Sequence, residues 1–140
     1  MNKNRRKELS RISSNLNTAL GNMEELKDKI ENGNLESGHV SKELEYIISD
    51  IESEKTDLEI VKDEEEMALD NLPDSLRYSE KGETMEENVS DMESAISDIQ
   101  DVIDNLEELK DDFDMDGDDL DQNISNLSDI INSIEEIVLK

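Results

Sequence analysis

Apolar residues recur at steps of three and four along most of the chain, and this spacing constrains the fold more than any other feature. In an α-helix of about 3.6 residues per turn, such steps place the apolar residues in one stripe along one face. The first stripe comprises Leu9, Ile12, Leu16, Ala19, Met23, Leu26 and Ile30. The pattern predicts an all-α protein without strands.

A second stripe follows the sequence ENGNLESGH, in which Gly33 and Gly38 favour a helix end and a turn. Glu54 and Glu65 occupy positions where the same register would place apolar residues, so we expect loose packing toward the end of this helix. Pro73 predicts the helix end, because proline disfavours helical geometry in the preceding residue. The apolar members are Val40, Leu44, Ile47, Ile51, Leu58, Val61, Ala68 and Leu72.

The last sixty residues carry a stripe that crosses an acidic run. Its apolar members are Met85, Val89, Met92, Ile96, Ile99, Ile103, Leu106, Leu120, Ile124, Leu127, Ile131, Ile134 and Val138. The steps of three and four continue through Lys110, Phe113 and Gly117. This part of the chain therefore fits either one long helix or two helices broken at Gly117.

Together the stripes predict a single helical domain over residues 1–140. The helices are expected at about 5–32, 40–71, 80–111 and 118–139. With short connections they suit an elongated antiparallel helical bundle about 45 Å long, at about 1.5 Å per residue. The alternative is a coiled-coil hairpin of two long helices, paired with a second chain as a homodimer.

Composition limits the partners of such a chain. There are 40 Asp and Glu against 14 Lys and Arg, for a net charge of -26. Counted from the sequence, residues 1–79 have 19 acids and 11 bases (net -8), whereas residues 80–140 have 21 acids and 3 bases (net -18). Nucleic acid and anionic membranes repel so negative a chain. We therefore expect a basic protein or cations as partners, with no direct nucleic-acid binding and no membrane association.

Several classes of function lack the residues that they need. The sequence has no cysteine, which excludes disulfides and thiolate metal sites. It has no apolar run of about 18 residues and no signal-peptide pattern, so a cytoplasmic location is expected. His39 is the single histidine, in a glycine-flanked turn, and nucleophile and phosphate-binding motifs are missing. We expect no enzyme and no cofactor.

The acidic run DDFDMDGDDLD, residues 111–121, has seven aspartates in eleven residues. With Gly117 as the sixth position of an EF-hand loop, Asp112, Asp114 and Asp116 occupy positions one, three and five. Position twelve is Asn123, which cannot close the shell as a bidentate glutamate does. We expect no specific metal site, only weak millimolar binding of calcium that magnesium shares. A calcium-binding helical module remains an alternative.

A cluster of basic residues lies near the start of the chain: Lys3, Arg5, Arg6, Lys7 and Arg11. Three interpretations stay open. The cluster could contact phosphate, fold against the acidic surface of its own chain, or form a solvated helix start.

Negative charge is densest in the third predicted helix, where acids recur mostly at steps of three and four beside the apolar stripe. Duplex DNA carries about one charge per 1.7 Å of axis. The net charge of -26 along a bundle of about 45 Å gives a similar line density. The pattern is compatible with duplex imitation and also with a surface that only keeps the bundle soluble.

Residues 68–109, ALDNLPDSLRYSEKGETMEENVSDMESAISDIQDVIDNLEEL, resemble a segment of small acidic proteins from Gram-positive phages and mobile elements. The whole profile is similar to anti-CRISPR and anti-restriction proteins that act as DNA mimics. This resemblance implies an inhibitor that occupies the nucleic-acid groove of a DNA-binding protein in the host cell, most notably a CRISPR effector nuclease.

The predicted contacts to that basic partner are carboxylates that pair with its Arg and Lys side chains. They are Asp98, Asp101, Asp104, Glu108, Asp111, Asp112, Asp114, Asp116, Asp118, Asp119 and Asp121. The alternative function is a structural coiled-coil interaction protein, whose signature is an uncovered apolar stripe and strong self-association.

Overall fold

The computed structural model describes residues 1–33, 35–112 and 115–140, and in these ranges the chain forms helices and no strand. The prediction of an all-α protein is confirmed. The helices are α1 (Lys3–Glu31), α2 (Ser37–Asp70), α3 (Asp74–Arg77), α4 (Glu80–Lys110) and α5 (Asp118–Leu139).

The four long helices form a ring in which each contacts two neighbours. Helix α1 packs against α2 and α5, and α4 packs against the same two helices. An ion pair between Arg5 and Glu65 joins the start of α1 to the end of α2. A second pair, between Lys27 and Asp121, joins the end of α1 to the start of α5. Neighbours are therefore antiparallel, and the fold is an up-down-up-down four-helix bundle rather than a hairpin of two long helices.

The long helices begin and end within three residues of the bounds expected from the sequence. The question of one helix or two in the last sixty residues is answered by a break: α4 ends at Lys110 and α5 begins at Asp118. Helix α3 was not predicted, because four residues are too few to show a helical period. No helix in the described ranges has a stretch long and apolar enough to cross a membrane.

The apolar stripes of all four long helices meet in one core. Leu16, Ile51, Met92 and Leu127, one from each helix, are fully buried there. Burying apolar surface stabilises the fold by roughly 25 cal/mol per Å². Because the many Ser, Asn and Asp residues lower helix propensity, this packing is the main force that holds the helices together.

The expectation that α2 packs loosely toward its end is wrong. Glu54 and Glu65 keep the core register and are both buried, with Glu65 fully inaccessible to solvent. Arg5 Nε donates to Glu65 Oε1 at 3.0 Å, and Asn88 Nδ2 donates to Oε2 at 3.1 Å. The amino group of Met1 lies 3.6 Å from Oε2. Polar partners from α1 and α4 thus replace apolar neighbours, and α2 continues without a break to Asp70.

The connection from α2 to α4 is tightly packed. Arg77 Nη1 donates to the carbonyl oxygen of Leu69 at 3.1 Å, which ties α3 back to the end of α2. A Cβ atom at Gly82, in the first turn of α4, would lie 2.0 Å from the carbonyl oxygen of Arg77. Only glycine allows the two backbones to approach so closely. Arg77 and Gly82, which lie within the segment 68–109, therefore have a structural role in the connection from α2 to α4.

Candidate functional site

The outward face of α4 carries an exposed acidic stripe. Asp98, Asp101 and Glu108 follow one another at steps of three and seven, so they lie on one side of the helix. Asp104 is also exposed and lies three residues from Asp101 and four from Glu108. Gln100 Nε2 donates to Asp104 Oδ1 at 2.8 Å. All four α4 residues predicted as contacts are therefore exposed and follow one another at steps of three and four.

A groove runs between α4 and α5 beside this stripe. Its central part has a volume of about 260 Å³, with Asp98 and Asp101 on the α4 side and Asp129 on the α5 side. A second part, which shares Asp98, extends toward Asp91 and Glu136. Ser94, Asn126 and Ser133 complete the polar lining of the groove. Ile130 contributes apolar surface. The structure thus adds three acids, Asp91, Asp129 and Glu136, to the predicted set.

Among the described residues, positive charge reaches one end of this groove alone. Lys140 Nζ lies 2.8 Å from Asp91 Oδ2 and 3.2 Å from Glu87 Oε1, and the hydrogen bond to Asp91 raises the pKa of Lys140. Among the residues that the structure describes, no cation forms an ion pair with Asp98, Asp101 or Asp129. A cleft lined by one sign of charge between low-dielectric walls focuses its potential outward. The groove therefore attracts cationic groups.

The acidic run has a local structural role at the start of α5. Asp116 Oδ1 accepts hydrogen bonds from the backbone N–H groups of Asp118 and Asp119, at 2.9 and 3.3 Å. Asp119 Oδ2 accepts from the backbone N–H of Asp116 at 2.9 Å. This reciprocal pattern is a capping box, and carboxylates in the first turn of a helix also interact favourably with its dipole. Asp116 and Asp119 are thus engaged in capping α5.

Other predicted contacts lie apart from the groove. Asp121 pairs with Lys27 of α1, and this hydrogen bond raises the pKa of Lys27. Asp111 caps the end of α4, and Asp112 lies beside a small cleft near Lys110. Both are exposed, as is Asp118 in the first turn of α5. The remaining predicted contact, Asp114, lies outside the described residues.

Residues 118–123, the second half of the calcium-loop pattern, belong to α5. Asn123, at the closing position, is only 4% exposed, and Leu120 is fully buried. Asn123 is therefore turned into the core and is not available to complete a calcium shell. In the ranges 1–33, 35–112 and 115–140, no group of three or more His, Cys, Asp or Glu residues is arranged to hold a metal ion.

The basic cluster folds against its own chain. Besides the pair between Arg5 and Glu65, Arg6 Nη2 donates to the carbonyl oxygen of Lys140 at 3.0 Å. Arg11 Nη2 donates to Asp57 Oδ2 at 2.8 Å, and hydrogen bonds to Asp57 and Glu8 raise the pKa of Arg11. Of the three open interpretations, the structure supports the second for these arginines. His39 is exposed in the first turn of α2, rather than in the preceding turn.

The sequence prediction missed Asp129 and Glu136 because helix pairing cannot be read from spacing within a helix. Their separation by seven residues was the available signal, since it places both on one side of α5. Only the packing of α5 against α4 brings them opposite Asp98. Comparison with protein-family models, with curated proteins and with solved structures gives no match for this chain.

Proposed function

We propose that this protein binds a basic nucleic-acid-binding protein through its α4–α5 groove and the acidic stripe of α4. It thereby occupies the partner's own groove, which otherwise holds duplex DNA. A CRISPR effector nuclease in the host cytoplasm is the target class that we propose. The protein acts as a DNA mimic, without catalysis and without a cofactor.

The observation that carries this proposal is the lack of cationic partners for Asp98, Asp101 and Asp129 in the described part of the chain. A helix surface that served only solubility would gain a few tenths of a kcal/mol from each Glu–Lys pair at steps of three or four. The described residues of the α4–α5 face do not form those pairs, so the acids on this face repel one another. Cations supplied by a partner would relieve that repulsion.

The groove and stripe offer such a partner carboxylates on two adjacent helices. Guanidinium groups of the target would form charge-assisted hydrogen bonds with Asp98 and Asp129 across the groove and with Asp101 and Glu108 along the stripe. Arginines engaged in this way are unavailable to phosphates or to the bases of a recognition motif. Inhibition therefore follows from competition for the same arginine and lysine side chains.

The test measures binding to a panel of purified, guide-loaded CRISPR effector nucleases at increasing salt, with and without a cleavable target duplex. We expect at least one nuclease whose cleavage the protein inhibits. Its affinity should fall steeply as ionic strength rises above about 0.15 M, and the duplex should compete. Binding that survives about 1 M salt and ignores competing duplex would exclude the mimic mechanism.

Two variants with the same loss of charge locate the binding face. Neutralising the groove should weaken nuclease binding at least about tenfold, because each charge-assisted hydrogen bond is worth about 1.5–3 kcal/mol. The groove variant is Asp98→Asn, Asp101→Asn and Asp129→Asn. The control variant removes three exposed acids of α1: Glu24→Gln, Glu25→Gln and Asp28→Asn. Equal weakening by both variants would show that net charge, and not the groove, determines binding.

A further inference from the structure

Helix α2 exposes large apolar side chains along its outer face. Tyr46 is 59% exposed, Ile60 is 52% exposed and Met67 is 64% exposed. In the described part of the chain, the other exposed large apolar residues are Leu76 and Tyr78, around α3, and Leu139, at the end of α5. Of the four long helices, α2 is thus the one that presents large apolar groups to solvent away from its ends.

These three residues fall into one heptad series. Tyr46, Ser53, Ile60 and Met67 are separated by seven residues each, so they form a single stripe that drifts slowly around the helix. Ser49 and Thr56, both exposed, lie beside this stripe at intermediate positions. Their small side chains leave room for the larger side chains of a second helix laid along α2. We call the heptad series from Tyr46 to Met67 the α2 seam.

Two rows of acidic residues border the α2 seam, and neither row is interrupted. In each row, every position at seven-residue spacing is Asp or Glu. One row is Glu43, Asp50, Asp57 and Glu64. The other row is Glu45, Glu52, Glu59 and Glu66. With the α2 seam as the a positions of a heptad, these rows are the e and g positions, which set partner choice in coiled coils.

We propose that the α2 seam binds one helix of another protein, which presents apolar residues at heptad spacing flanked by lysine and arginine. The apolar residues of that helix would cover Tyr46, Ile60 and Met67. Its basic residues would face the two acidic rows. A second copy of this chain does not fit, because acidic rows would face acidic rows whether the two helices ran parallel or antiparallel.

Part of each acidic row is available to such a partner. Within the chain, Asp57 pairs with Arg11, and Glu45, Glu59 and Glu66 pair with lysines of α4 or α2. For the other four no ion pair exists among the described residues, and all four are exposed: Glu43, Asp50, Glu52 and Glu64. Both rows can therefore accept new charge pairs without losing those already present.

The α2 seam lies on a different face from the α4–α5 groove. Helix α2 packs against α1 and α4, whereas the groove lies between α4 and α5. A partner helix on α2 and a partner in the groove could be bound together. The two proposals consequently stand or fall separately.

The first experiment measures fluorescence anisotropy of two synthetic peptides of four heptads at about 0.15 M salt. One peptide has leucine at its a and d positions and lysine at e and g. The other has the same composition and charge in an order without heptad spacing. Both peptides are attracted to a chain of net charge -26. We expect the heptad peptide to bind about tenfold more tightly, since only it covers the α2 seam.

A triple variant separates the α2 seam from general charge attraction. Tyr46→Ser, Ile60→Ser and Met67→Ser alter exposed positions and leave the net charge unchanged, so helical circular dichroism should be retained. The variant should lose the tenfold preference and still bind the scrambled peptide as the native protein does. A preference that persists in the folded variant, or equal binding of both peptides by the native protein, overturns the proposal.

A fluorescent label locates the bound peptide without depending on the triple variant. Because the sequence has no cysteine, Ser53→Cys places a single thiol within the α2 seam. Ser97→Cys places one on the exposed side of α4 as the control. Binding of the heptad peptide should shift the emission of an environment-sensitive dye at position 53 and not at 97. A response of similar size at both positions contradicts a site on α2.

Sedimentation of the native protein tests whether a second copy of the chain occupies the α2 seam. We expect the native protein to be a monomer at micromolar concentration. The groove variant, Asp98→Asn, Asp101→Asn and Asp129→Asn, should bind the heptad peptide as the native protein does. A native dimer that the triple variant loses would identify a second copy as the occupant, and would overturn the assignment to a basic helix.

Discussion

The α1–α2 pair and the α4–α5 pair contribute similar apolar stripes to one core. They differ in how far their acidic side chains are neutralised by ion pairs within the chain. In the first pair, acids form ion pairs with bases of the same chain: Glu65 pairs with Arg5, and Asp57 pairs with Arg11. In the second pair, Lys140 and Lys110 are the only bases beyond Gly82. Lys140 binds acids at the end of the groove, while Lys110 reaches across to Glu45 of α2.

This difference shows that ion pairing is not what makes a helix of this bundle fold. The second pair buries its apolar residues as fully as the first does, although its acids are largely uncompensated. Exposed ion pairs contribute little stability, whereas a buried pair cannot lose one partner without a large penalty.

The largest effect is expected from Glu65→Ala. This change leaves Arg5 and Asn88 without their buried acceptor and should lower the free energy of unfolding by about 3–5 kcal/mol. Asp101→Ala, on the exposed stripe of α4, should change it by less than about 0.5 kcal/mol. Urea unfolding followed by circular dichroism measures both. Similar losses in the two variants would remove the contrast between the two helix pairs.

An intermediate effect is expected in the acidic run. Asp116→Ala removes the acceptor for two backbone N–H groups at the start of α5, which should destabilise the fold by about 1 kcal/mol. Asp116→Asn retains an acceptor oxygen and should stay close to the native protein. Thermal unfolding compares the two variants. If Asn and Ala were equally destabilising, charge would matter here more than capping.

A smaller effect of the opposite sign is expected in the groove. The variant Asp98→Asn, Asp101→Asn and Asp129→Asn removes like-charge neighbours, such as Asp98 and Asp101 three residues apart on α4. It should stabilise the fold by about 0.5–1 kcal/mol at low salt, since such pairs are destabilising by a few tenths of a kcal/mol each. The gain should shrink as salt rises past about 0.15 M. A native melting temperature that is independent of salt would argue against repulsion.

The smallest effect concerns Glu54, which is 8% exposed and accepts a hydrogen bond from Asn15 Nδ2 at 2.9 Å. Burial raises the pKa of this carboxyl, and the hydrogen bond from Asn15 and the charge of Arg11 partly offset the rise. The folded state therefore favours the protonated form. The stabilisation that comes from protonating Glu54 is fully present when the pH is below the ordinary pKa of 4.5. It is lost as the pH rises through the raised pKa of the folded state.

An uncharged side chain at this position should retain that contribution at neutral pH. We expect Glu54→Gln to be more stable than the native protein near neutral pH by about 0.5 kcal/mol. The difference should disappear in acid, below the ordinary value of 4.5. Chemical unfolding across this pH range measures it. A less stable variant at neutral pH would show that attraction to Arg11 outweighs burial.

Much of the fold could be predicted from the chain alone, whereas much of the candidate site could not. The helix bounds follow from local spacing and from breakers such as Gly33 and Pro73. The acids of α4 were also identified, because their spacing places them on one outward stripe. The capping of α5 by Asp116 and Asp119 was not predicted. Asp116 was considered only as position five of a calcium-loop pattern, for which no specific metal site was expected.

The sequence by itself determined which side of each long helix enters the core, because helical periodicity is a property of neighbouring residues. It left open whether the last sixty residues form one helix or two, and the structure decided this with the break between Lys110 and Asp118. Only the tertiary structure decided which helices are adjacent in the ring. That order brings Asp98 opposite Asp129 and gives Glu65 its buried partners from α1 and α4. It also leaves the α2 seam uncovered. Contacts between distant residues arise from packing, and spacing within one helix carries no information about them.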